Sequence, residues 1–173
     1  MSQETDFTNK IKNYYKNGNF ESVFRESKKL DVNKIESKEI LYIITIAYDQ
    51  IALKKNKRTM LGMQKLAKKY ACVITKKFPS WDKGYFAMGL ILQHSGNAKK
   101  ALEFYKKAQQ INPMDTSYYL SLGNGHRAMK DNGMAEYWYK KALKIKNINH
   151  LASINLVSLY EEMGEKESIT KYA

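Results

Sequence analysis

The sequence predicts an all-α fold made of antiparallel helix pairs, on three observations. Apolar residues in 82–113 recur at helical spacing: Tyr85, Met88, Gly89 and Leu92, a break at Gly96, then Ala101, Tyr105, Ala108 and Ile111. Thirty-four residues further on, Tyr119, Leu122, Gly123, Ala135, Tyr139, Ala142 and Ile145 occupy the same positions. Pro113 cannot continue a helix and biases Asn112 toward extended backbone, so the pair has a defined end.

The order aromatic, two residues, apolar, Gly, two residues, apolar, then Gly, Ala, aromatic, Ala and Pro resembles the tetratricopeptide repeat. The resemblance implies a right-handed superhelical solenoid in one domain spanning the chain, 1–173, with repeats near 4–35, 38–79, 82–113, 116–147 and 150–173. Gly89 and Gly123 lack a Cβ, so the second helix of each pair can approach closely, and Ala101 and Ala135 are the small residues expected to face them. Tyr85 and Tyr105 are expected to fill the space between successive pairs.

Taken in order, Phe7, Ile11, Tyr14, Phe20, Val23 and Leu30 fit a degenerate first repeat with Gly18-Asn19 as its turn; Ile11 stands where the glycine is expected. Leu41, Ile44, Thr45 and Tyr48 begin the second in register, and Ala67, Ile74 and Pro79 end it in register with Ala101, Ala108 and Pro113. About ten surplus residues therefore fall between its halves, near 52–64. They include Lys54, Lys55, Lys57 and Arg58, then Met60, Leu61 and Met63. One reading is a longer loop leading into an extended helix whose Met60, Met63, Ala67, Tyr70 and Ile74 form a buried stripe. The other is a projecting, methionine-rich contact ringed by positive charge.

In the fourth repeat Lys130 stands where the third has Gly96, and Gly133 follows three residues later, so a displaced turn is expected there. The fifth keeps Leu156, Tyr160, Gly164 and Ile169 but has Ser153 for the aromatic and Val157 for the glycine. Its second helix, roughly 166–173, is shorter than its counterparts, and a partner or a second copy of the chain is expected to cover that end.

The balance is basic, 30 Lys plus Arg against 17 Asp plus Glu, with only Arg25, Arg58 and Arg127 as arginines. The N-terminal segment is polar, and the longest apolar run, 40–47, is too short to span a bilayer. A cytoplasmic protein is expected. Cys72, the single cysteine, cannot form an internal disulfide and reads as a small buried residue.

Nothing in the sequence converges on catalysis: His94, His126 and His150 have no Cys or carboxylate at ligand spacing, and no phosphate loop or nucleophile elbow occurs. Gly123-Asn124-Gly125 falls within a predicted helix. The expectation is a non-enzymatic protein with no cofactor, no metal and no small-molecule substrate.

The resemblance further implies that the first helix of each repeat lines a concave surface holding a partner's peptide or helix. Its inward positions carry over to Tyr42, Ile46 and Asp49; to Lys83, Phe86, Leu90 and Gln93; to Leu120, Ser121, Asn124 and Arg127; and to Ile154, Asn155, Ser158 and Glu161. Such a groove is mostly apolar with a polar centre, Asn124 suited to backbone groups and Arg127 to a carboxylate. Family members that grip an acidic chaperone tail use lysines, asparagines and an arginine where this chain has Phe86, Leu90, Ser121, Leu151 and Asn155, which argues against that activity. The rival reading is a polyanion surface, nucleic acid or anionic membrane. It would use an outer stripe of Lys99, Lys100, Lys106, Lys107, Lys140, Lys141 and Lys144, which neutralises phosphates without reading bases.

Overall fold

The computed structural model describes residues 3–54, 57–145, 149–170 and 172; Lys55 and Ala173 lie outside the described residues. Among these residues every regular element is helical. The chain divides into two compact units, 1–95 and 96–173, with the division in a turn inside the third repeat.

The first unit holds α1 (Gln3–Lys16), α2 (Phe20–Ser27), a short 3-10 turn at Val32–Lys34, α3 (Lys38–Leu53), α4 (Lys57–Lys77) and α5 (Asp82–His94). Gly18 takes φ +67 between α1 and α2, and Asn19 caps α2 by accepting from Ser22 N at 3.1 Å. Ser37 caps α3 in the same way through Ile40 N. Helices α1, α2 and α3 pack on one another, as do α3, α4 and α5. Ile11, Val23, Leu41, Ile44, Tyr48, Ala67, Tyr70 and Ile74 are buried. Phe24, Tyr48 and Tyr70 form a chain of ring contacts, Tyr48 lying 5.2 Å from Phe24 and 5.5 Å from Tyr70. A glycine outside the repeat pattern matters here: a Cβ on Gly84 would stand 2.6 Å from Ile74 Cγ2, so only glycine lets α5 meet α4 so closely.

The surplus of the second repeat does not form a longer loop. It is taken up as helix: α3 has 16 residues and α4 has 21, against 13 or 14 in α5 to α9. Apolar period explains the outcome, because Ala67, Tyr70, Ala71 and Ile74 are buried and Met60 and Met63 half-buried along one line of α4. Leu61 falls off that line and is 68% exposed. Cys72 does too. Contrary to expectation it is exposed, since Ala71 and Ile74 already fill the inward positions around it.

The second unit holds α6 (Ala98–Ile111), α7 (Thr116–Ala128), α8 (Asn132–Ile145), α9 (His150–Met163) and α10 (Lys166–Thr170), each packed on the next, with α7 also touching α9. The last helix, expected over roughly 166–173, is described over Lys166–Thr170. Turn chemistry repeats with the fold. Gly96, Lys130 and Gly164 take φ +78, +60 and +74, so the fourth turn stays in register at Lys130 and is not displaced to Gly133, which lies within α8. Asn97 caps α6 and Asp131 caps α8; Asp115 caps α7 and Asn149 caps α9. Tyr119 ties the α6–α7 turn by donating to Pro113 O at 3.0 Å while accepting from Gln109 Nε2 at 2.9 Å.

The atoms nearest to Gly123 belong to Tyr139: a Cβ there would lie 2.3 Å from Tyr139 Cε1. Ala135 belongs to the cluster of Tyr139, Leu156, Leu159 and Tyr160, where its small side chain admits α9. Gly125, unassigned by the repeat, admits Leu102 of α6, whose Cδ2 would be 2.7 Å from a Cβ.

Candidate binding face

The helices that should line a groove are neighbours within each unit, α3 beside α5 and α7 beside α9. On the second unit their inward positions meet. Arg127 of α7 donates through Nη2 to Ser158 Oγ of α9 at 2.7 Å, and Asn155 Nδ2 reaches Asn124 Oδ1 at 3.5 Å. Asn124 Oδ1 also accepts from Tyr139 OH at 2.6 Å. Asn124, Arg127, Ala128, Lys130, Asn132 and Glu162 line a shallow polar cleft. Beside it Leu151 and Ile154 are 63% and 61% exposed, and Asn155 is half-buried.

Arg127 and Leu120, both expected in the groove, make further contacts within this unit. Arg127 forms a two-pronged ion pair with Glu162, Nε to Oε2 at 3.0 Å and Nη2 to Oε1. The pairing lowers the Glu162 carboxyl below its ordinary range and raises the guanidinium further. Glu162 lies one position beyond the predicted inward set, so nothing in the repeat pattern singles it out. Leu120 is half-buried against two core clusters, one holding Tyr139 and Leu156 and the other Ala142 and Ala152, with part of its surface open.

On the first unit Tyr42 is half-buried edge-on to Trp81, with ring centroids 5.8 Å apart. Ile46 is a core residue at 8% exposure, which corrects its assignment to an open groove: α3 is flanked by α1, α2, α4 and α5 and has little free surface. Asp49 is buried and holds His94 Nδ1 at 2.8 Å, while Gln64 Nε2 donates to His94 O. Lys83 is exposed, and Phe86, Leu90 and Gln93 are half-buried. Sequence spacing could not find the Asp49–His94 pair because its members stand 45 residues apart. His126 likewise pairs with Asp131, at 3.0 Å. Among the described residues no three His, Cys, Asp or Glu side chains cluster as a metal site would require.

The outer lysines fall on the second unit. Lys99, Lys100, Lys106, Lys107, Lys141 and Lys144 are exposed. Lys140 departs from the expected stripe: it is half-buried and bonded to Glu136, whose carboxyl also accepts from Tyr160 OH at 2.8 Å. Lys141 lies 5.3 Å from the Tyr137 ring centre.

Helix hairpins with small residues at the crossings, in-register left-handed turns and adjoining first helices define a helical-repeat protein. Residues 82–115 match the family described as Tetratricopeptide repeat. A crystal structure of MamA is 19% identical with a TM-score of 0.73, covering 94% of this chain and 89% of its own. TTC0263, a thermophilic TPR protein in Thermus thermophilus, is 19% identical with a TM-score of 0.73, covering 98% and 87%. A UDP-N-acetylglucosamine–peptide N-acetylglucosaminyltransferase from Giardia intestinalis is 25% identical over 122 residues, 70% of this chain but 8% of that enzyme. Residues 82–115 carry a tetratricopeptide repeat, and the chain as a whole shares the fold of these solved structures. Among the described residues no helix is long and apolar enough to cross a membrane.

Proposed function

We propose that this protein is a non-enzymatic scaffold that holds a peptide or helix of a partner protein against the α7–α9 face. The observation that carries the reading is the meeting of Asn124 and Arg127 with Asn155 and Ser158, positions assigned inward on separate repeats. Beside this polar centre Leu151 and Ile154 are exposed on α9 and offer apolar anchorage. An extended segment with one or two apolar side chains and backbone groups for the asparagines suits that pattern, because Arg127 is already paired with Glu162. Phe86 and Leu90 on the first unit supply the same kind of partly open apolar surface.

The test is affinity capture with wild type, Ile154→Asp/Asn155→Ala and Lys106→Glu/Lys144→Glu as baits. Partners lost with the first variant and kept with the second support the groove. Partners kept with the first and lost with the second assign binding to the outer lysines instead.

A further inference from the structure

The outward face of α4 carries a charge arrangement that neither the groove nor the outer stripe uses. This helix contains no Asp or Glu over 21 residues. Lys65, Lys68, Lys69 and Lys76 lie with Cys72 and Val73 along one shallow groove, opposite the buried line of Ala67, Tyr70 and Ile74. All four lysines are exposed, and among the described residues none is in an ion pair. Lys77 is the contrast: it donates to Asn33 O and Ile35 O and pairs with Glu36, a structural role at the helix end. Leu61 and Leu66, at 68% and 39% exposure, lie on the N-terminal half of the same helix.

We propose that this face docks an acidic amphipathic helix of a partner protein. From Lys65 to Lys76 the ladder runs about 16 Å, close to three turns, at the rise of an α-helix. Carboxylates spaced three and four apart on a partner helix would match it turn for turn. The floor of Cys72 and Val73, with Leu61 at one end, takes the partner's apolar side chains. Nucleic acid fits less well, because Cys72, Val73 and Leu61 put apolar surface among the lysines that a phosphate backbone would not use, and the groove has no aromatic ring for stacking. A membrane surface fits less well because lysines occupy the centre of the exposed sector, where an interfacial helix places its apolar residues.

The experiment is fluorescence anisotropy with the full chain and a labelled helical peptide carrying Glu and Leu at alternating third and fourth positions. The comparison probes are the same peptide with Ala for Leu, a short DNA duplex, and vesicles of phosphatidylcholine with phosphatidylserine. Lys65→Glu/Lys69→Glu/Lys76→Glu should weaken the Glu/Leu peptide about tenfold or more at physiological salt, and Leu61→Ser about threefold. Lys106→Glu/Lys144→Glu should stay within about twofold of wild type. Far-ultraviolet circular dichroism confirms that the variants remain folded. Equal losses from the two sets of lysines would reduce the effect to net charge and overturn the proposal. So would tighter binding of the duplex or the vesicles than of the peptide, or indifference to the peptide's leucines.

Discussion

The ring of Tyr139 occupies the space that a side chain on Gly123 would need, with Cε1 2.3 Å from the Cβ position. Tyr139 is fully buried and its hydroxyl is held by Asn124, so the ring has nowhere to retreat. Gly123→Ala should destabilise the protein by about 2–3 kcal/mol, the usual cost of overpacking a closed contact. In urea unfolding, Gly123→Ala combined with Tyr139→Leu should cost less than the sum of the single changes. Additive costs would mean that the contact is not the source of the strain.

Lys130 adopts φ +60, a left-handed conformation that glycine takes in the equivalent turns at Gly96 and Gly164. A Cβ there is strained, and glycine relieves it. Lys130→Gly should raise stability by about 0.5–1 kcal/mol despite the greater freedom it gives the unfolded chain. A lower midpoint in thermal unfolding would contradict this.

Asp49 has 1% of its side chain exposed and one partner, His94, for Oδ2; Oδ1 has none among the described residues. His94→Ala strands the carboxylate in the core and should cost about 3 kcal/mol in chemical denaturation. Replacing both with leucine removes the buried polar atoms together, so Asp49→Leu/His94→Leu should be less destabilised than His94→Ala alone. The reverse order would show that the pair is intrinsically stabilising.

The Glu136 carboxyl is held below its ordinary range by its hydrogen bond to Lys140, helped by Tyr160. Its folded pKa is depressed, so its contribution is present above the ordinary carboxylate range and is lost as pH falls through the folded value. Glu136→Gln should flatten the acid limb of the stability profile, by less than about 1 kcal/mol because the pair is partly solvated.

Burial pushes the Tyr160 phenol up to about 12, and Tyr70 also to about 12. The folded state therefore retains protons that the unfolded chain releases from about pH 10. Stability should be full below that pH and fall as it rises toward 12. Tyr160→Phe should shrink this alkaline loss, read from unfolding midpoints, and remove one late-titrating phenol from the ultraviolet absorbance curve.

The helical class and the period were legible in the order of residues. Tyr139 and Ala135 recur thirty-four residues after Tyr105 and Ala101, and burial on one helical face imposes that recurrence directly on residue type. How the inward positions are used was settled by packing in three dimensions. It buried Ile46, and a long-range ion pair brought Glu162 to Arg127 although its position had no special mark in the repeat. The turn at Lys130 kept its register because the helices on both sides fix the backbone more strongly than one lysine can oppose it. Cys72 was outward for a related reason. A helix rotates about 100° per residue, so the buried places at Ala71 and Ile74 dictate where the next side chain points whatever its own affinity for water.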